Sequence, residues 1–153
     1  SRRQRQMCIR DSYNSGQFWH TLEYLVPFEK DAFTFYEKLG SFYEKKGYSE
    51  ISHSRMRRYE ILLEYLQEET DVPTEVAAQK MLYDLYLREK LKKRPVFAPD
   101  QKQYETAVWN YRKNNQVSKT AHIEVFENGT VILFDYEKRD PLSNNAYTEV
   151  VQL

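Results

Sequence analysis

Apolar residues recur at helical spacing along the first two thirds of the chain and then change to strict alternation. Trp19 to Val26 reads as a short helix stopped by Pro27. Asp31 is placed to cap a second helix, in which Phe35, Leu39 and Phe42 form one stripe beside Tyr36 and Tyr43, and Gly47 stands where a left-handed stop belongs. A third helix, from about Ser54 to Glu69, turns Met56, Tyr59, Leu63 and Leu66 to one face. The linker Thr70-Asp71-Val72-Pro73-Thr74 leads to a fourth, capped by Thr74, with Ala78, Met81, Leu82 and Leu85 inward and an end before Pro95. A fifth spans Asp100 to Lys113. Beyond it, Ala121 to Phe126 and Thr130 to Tyr136 alternate as strands about Asn128-Gly129, the strongest short hairpin signal. Pairing across that turn puts Ile123, Val125, Ile132 and Phe134 on one core face, and Ala146 to Leu153 offers a further strand. A lone hairpin is marginally stable, so it must pack on helices. The expected fold class is α+β and helix-dominated: about four to five helices followed by a C-terminal β-hairpin.

Composition bounds this picture without changing it. A chain of 153 residues with 30% charged and 15% aromatic residues suits one globular domain. No apolar run approaches the roughly 20 residues of a membrane helix, and no secretory signal is present, so a cytoplasmic location with no membrane partner is expected. The first twelve residues carry four arginines without a helical or strand period. They resemble a translated sequencing adapter, so residues 1–12 are set aside as non-native, and 13–153 is taken as the domain. The alternative is a basic arm for nucleic acid. Without that segment 19 basic and 22 acidic residues remain, and Cys8, the only cysteine, is lost. The native chain then begins near Tyr13 as a fragment of a longer protein.

Several chemistries are excluded. The four glycines (Gly16, Gly40, Gly47, Gly129) have no spacing that cradles a phosphate or forms a nucleophile elbow. One cysteine cannot build a zinc knuckle, redox pair or iron–sulfur site. His20 and Glu23 lie three apart and could share a helix face as metal ligands, but a structural His beside Trp19 is the simpler reading. In Ser52-His53-Ser54 the serines read as helix-start caps, because adjacent residues do not face each other in a helix. His122 is expected on the solvent side of its strand. No catalytic, cofactor-binding or metal-binding residue is assigned.

Charge supplies one further pattern. Arg55, Arg57 and Arg58 open the third helix while Glu64, Glu68 and Glu69 close it, against the helix dipole. The fourth ends on Arg88, Lys90, Lys92, Lys93 and Arg94, as the dipole favours. If the two helices are antiparallel neighbours, Arg55, Arg57, Arg58, Arg88, Lys92, Lys93 and Arg94 gather at one pole. That pole is either a solvated surface or a docking site for an anionic partner.

The strings Tyr13-Asn14-Ser15-Gly16-Gln17-Phe18, Arg58-Tyr59-Glu60-Ile61-Leu62, Tyr83-Asp84-Leu85-Tyr86-Leu87-Arg88-Glu89, Leu133-Phe134-Asp135-Tyr136 and Arg139-Asp140-Pro141-Leu142 carry a resemblance. The chain resembles the C-terminal domain of unknown function of bacterial cobalamin-binding (B12-binding) radical SAM proteins. The resemblance implies a parent whose upstream domains bind cobalamin, S-adenosylmethionine and a 4Fe-4S cluster, and are this domain's partners. The CxxxCxxC spacing of the cluster and the Asp-x-His motif for cobalamin are absent here. The implied role is therefore a non-catalytic accessory domain, with no cofactor of its own, that covers the barrel or helps bind substrate. The rival is an independent module that binds nucleic acid or protein through the basic pole.

Overall fold

The periodic segments fold, in a computed structural model that describes residues 9–153, as a helix-dominated α+β protein. The chain divides into two compact units, Ser1–Asp84 and Leu85–Leu153.

In the first unit, α1 covers residues 9–13, and α2 (Trp19–Leu25), α3 (Ala32–Lys46) and α4 (Arg55–Glu69) follow. The unit's boundary falls inside α5 (Thr74–Arg88). Local signals behave as expected. Asp31 accepts from the Thr34 N–H at 2.7 Å, Ser54 accepts from the Arg57 N–H at 3.1 Å, and Gly47 ends α3 at φ 77°. The α3 stripe is buried throughout, as are Ala78, Met81, Leu82 and Leu85 of α5.

Two expectations need correction. The buried face of α4 is Tyr59, Ile61, Leu62, Tyr65 and Leu66, whereas Met56 and Leu63 are half-buried. The two tyrosines decide this rotation, since their rings fill the aromatic core. Phe18 stacks on Tyr59 at 4.0 Å, and Phe42 meets Tyr65 at 5.5 Å. Residues 9–12 are helical although no period was visible in the first twelve. Ile9 and Tyr13 lie four apart, both buried, so the pattern straddles the place where the segment was cut. Residues 1–8, with Cys8 and three of the arginines, lie outside the described residues.

The second unit holds the last turn of α5, then α6 (Glu105–Asn114) and a three-stranded antiparallel sheet of β1 (His122–Val125), β2 (Val131–Arg139) and β3 (Ala146–Val151) in that order. The third strand is formed. The hairpin faces are not the expected ones. Ile123 pairs with Leu133 and Val125 with Val131, so these four share a face with Ala121 and Val151, against Val108 and Tyr111 of α6. Ile132 and Phe134 lie on the opposite face, with His122 and Glu124. A two-residue Asn-Gly loop pairing 127 with 130 gives the expected faces. The loop instead spans three residues, 127–129. Phe126 N–H donates to the Thr130 carbonyl, Gly129 N–H donates to the Phe126 carbonyl, and Gly129 sits at φ 87°. A one-residue slip moves every side chain to the other face.

Candidate functional site

Two carboxylates are buried, one in each unit, and around them the polar chemistry of the protein is organised. α2 begins after Phe18 with no side-chain cap, leaving N–H groups that need acceptors. Asp84, 3% exposed on α5, supplies them. Its oxygens accept from the backbone N–H groups of His20 (3.2 Å) and Thr21 (2.8 Å) and from the Thr21 hydroxyl (2.7 Å). His20 Nδ1 lies 2.8 Å from the same carboxylate, and its ring meets Tyr83 edge-on. His20 is thus a structural partner of Asp84. The available signal was one aspartate inside the apolar run Met81 to Leu87.

In the second unit Glu124 points inward from β1 and is fully buried. Arg94 clamps it with two bonds, at 2.6 and 2.9 Å, and also donates to the Tyr86 hydroxyl (3.2 Å) and the Pro99 carbonyl (2.8 Å). His122 completes the cluster. Its Nε2 is 2.9 Å from Glu124, and its ring stacks on Tyr86 at 3.8 Å. The expectation of a solvent-exposed His122 is therefore wrong, because the face opposite the α6 side is covered too. Burial pushes the His122 pKa below its ordinary value, outweighing the Glu124 bond. Burial opposes the charge on Glu124, but the bonds from Arg94 and His122 win and hold its pKa below the usual carboxylate range.

Beside this cluster a cleft of about 690 Å³ opens along β1, walled by the 94–102 segment and by Val108, Trp109 and Arg112 of α6. From there Gln101 reaches the backbone of β1 at Val125, and Arg112 reaches that of Ala121 just before the strand.

Residues 8–140 match a family model described as Protein of unknown function (DUF4080). The chain belongs to this family. No curated protein and no solved structure matches it. The DUF4080 match takes in both buried carboxylates, the cleft and the β1–β2 hairpin, and it stops between β2 and β3.

Five of the seven basic residues singled out in the sequence have a partner within their own unit. On α4, Arg57 lies 3.4 Å from Glu60 and 3.8 Å from Glu64, Arg58 stands over the Phe18 ring, and Arg55 bonds the Tyr59 hydroxyl. In the second unit, Arg88 donates to the Ser143 carbonyl, Arg94 is bound to Glu124, and Lys92 and Lys93 are exposed. The glutamates that close α4 find lysines from α3: Lys46 is 2.8 Å from Glu68 and Lys45 is 2.7 Å from Glu69. Such exposed pairs are screened by water and add little to stability.

His53 Nε2 contacts the Tyr48 carbonyl, and Ser54 is the α4 cap, so the Ser-His-Ser string is a helix start. Six of the 13 tyrosines (Tyr13, Tyr36, Tyr43, Tyr59, Tyr65, Tyr86) are core residues. Among the described residues no cluster of three metal-ligating side chains occurs, and no helix is long and apolar enough to cross a membrane.

Proposed function

We propose that the chain is a non-catalytic C-terminal accessory domain of a cytoplasmic, cobalamin-dependent radical SAM enzyme. In this reading the upstream domains hold the 4Fe-4S cluster, S-adenosylmethionine and cobalamin, and this domain covers the barrel or helps bind substrate. The sequence resemblance names the parent. The structural observation that supports an accessory role is how the two buried carboxylates are used: Asp84 fastens the start of α2, and Glu124 fastens Arg94 and His122. Side chains with the chemistry to transfer protons are committed to holding backbone and loops in place.

Two measurements test this. The reading frame upstream of Tyr13 should contain CxxxCxxC, and a frame without it overturns the parentage. Deleting this domain from the parent should leave bound iron and cobalamin unchanged while abolishing substrate turnover. Loss of either cofactor on deletion means that the domain contributes to their binding.

The rival reading, a nucleic-acid or protein-binding module, draws less support. Arg57 and Arg94 are in carboxylate pairs, and Arg88 is on a backbone carbonyl. It requires binding of short RNA or DNA that weakens steeply with salt.

A further inference from the structure

The outer edge of β1 presents one uncapped peptide to the cleft. In an antiparallel pair, alternate residues turn their N–H and C=O towards the partner strand. Phe126 bonds Thr130 in this way, so Glu124 and His122 face β2, and Val125, Ile123 and Ala121 face outward. Side chains stand in for a missing neighbour at two of these three. The Gln101 amide donates to the Val125 carbonyl and accepts from the Val125 N–H, both at 2.9 Å. Arg112 donates to the Ala121 carbonyl at 3.0 Å. Ile123, between them, has no such cap among the described residues. Its side chain belongs to the core, so what it offers the cleft is its backbone donor and acceptor.

That geometry selects the ligand. A peptide extending the sheet needs the edge that Gln101 and Arg112 already occupy. A single N–H and C=O pair instead matches the adjacent donor and acceptor on the edge of a flat heterocycle. The walls suit the remainder of such a molecule. Trp109, 60% exposed, offers a ring face, and Pro95 and Val108 offer apolar surface. Lys102 and Arg112 line the cleft and have no carboxylate partner among the described residues, Arg112 donating through one nitrogen to the Ser118 and Ala121 carbonyls; of the two carboxylates in the lining, Asp100 accepts the Lys102 backbone N–H and Glu105 opens α6. The volume lies within the range of small-ligand sites.

We propose that this cleft binds a nucleotide-like ligand, a flat heteroaromatic ring bearing an anionic group, with the Ile123 peptide reading the ring edge, Trp109 stacking on the ring, and Lys102 and Arg112 meeting the anion. The site does not depend on the identity of any parent enzyme.

The test is an NMR titration of the full chain with AMP, GMP, CMP and UMP in turn, with adenosine and inorganic phosphate as partial ligands. At least one nucleotide should shift the Ile123 amide and the Trp109 indole together, more tightly than either partial ligand. Trp109→Ala should weaken binding about tenfold or more, as loss of a stacking platform does. Lys102→Ala should weaken it a few-fold, less so at high salt. Both side chains are exposed, so these variants keep the fold. The proposal is overturned if no nucleotide shifts Ile123 at millimolar concentration, if phosphate alone binds as tightly, or if Trp109→Ala leaves affinity unchanged. Shifts at Ala121 and Val125 with an extended peptide, and none with nucleotides, would identify the edge as a strand-docking site and overturn it too.

Discussion

Asp84 and Glu124 are both buried carboxylates with a histidine nitrogen within 2.9 Å, yet their charges are met by different means. Asp84 is met mostly by N–H groups at the start of a helix, where backbone dipoles already favour an anion. Glu124 is met by a guanidinium that arrives on the loop after α5. The first arrangement closes a helix end against a neighbouring helix. The second draws the 94–99 segment to the β1 edge, because Arg94 also holds the Pro99 carbonyl, and thereby forms a wall of the cleft. A carboxylate satisfied by backbone builds an element, whereas one satisfied by a long side chain shapes a surface.

Removing Asp84 should have the largest effect. Asp84→Ala leaves two N–H groups and a hydroxyl buried without acceptors, at a cost of about 3–5 kcal/mol. Asp84→Asn keeps one acceptor oxygen and should cost about 1–2 kcal/mol. Urea denaturation measures both, and a cost under about 1 kcal/mol for the alanine variant defeats the capping account.

Glu124 should respond differently because it has one principal partner. Glu124→Gln strands the Arg94 charge. Breaking a fully buried pair costs about 3–5 kcal/mol, and the 36% exposure of the Arg94 side chain reduces this to roughly 2–3 kcal/mol. Replacing both residues, as Arg94→Met with Glu124→Leu, should recover much of the loss, since an apolar pair can match a buried ion pair. Additive losses in the double variant would show that Arg94 and Glu124 act on the fold separately. No equivalent rescue exists for Asp84, whose partners are mainly backbone.

These two residues also mark the limit of what the sequence disclosed. Caps and stripes were legible because they are local: Asp31, Ser54 and Gly47 act within a few residues, and Phe35, Leu39 and Phe42 follow one helical face. The buried carboxylates were not, since their partners lie 63 or 64 residues away for Asp84 and 30 for Arg94 with Glu124. Glu124 also shares the face of β1 on which His122 was expected to meet solvent, and β2 was paired with it one residue out of register. The cleft was illegible for a related reason. Gln101 and Arg112 are unremarkable in sequence and matter only once β1 presents its edge to them.

Acid should weaken the Glu124 cluster in two stages. In the second unit both His122 and Glu124 have folded pKa values below their ordinary ones, so the unfolded chain takes up protons first. Their stabilisation is complete above pH 6.5, the unfolded value of His122. It declines below that pH as unfolded His122 charges, and again below 4.5 as unfolded Glu124 is protonated, until each folded pKa is passed. Urea midpoints followed through the sheet signal should fall in these two stages. His122→Asn should remove the upper stage and Glu124→Gln the lower one. A midpoint that rises between pH 7 and about 5.5 means that His122 prefers its charged form when folded, the attraction of Glu124 then outweighing burial.

The smallest effects concern the hairpin that puts Glu124 on its face. Gly129 holds φ 87°, so Gly129→Ala should cost about 1 kcal/mol through backbone strain alone, with nothing within 4 Å for the methyl to strike. Deleting Glu127 is the sharper probe. It leaves a two-residue Asn128-Gly129 loop between Phe126 and Thr130, whose pairing already closes the hairpin. The register from Val125 with Val131 onward is then untouched, Glu124 stays buried against Arg94, and stability should change by less than about 1 kcal/mol. If the turn instead had to keep three residues, it would take in Phe126 or Thr130, slip the pairing by one, expel Glu124 and cost as much as losing its ion pair. The comparison of Glu127 deletion with Glu124→Gln therefore decides whether the turn or the buried cluster fixes the sheet.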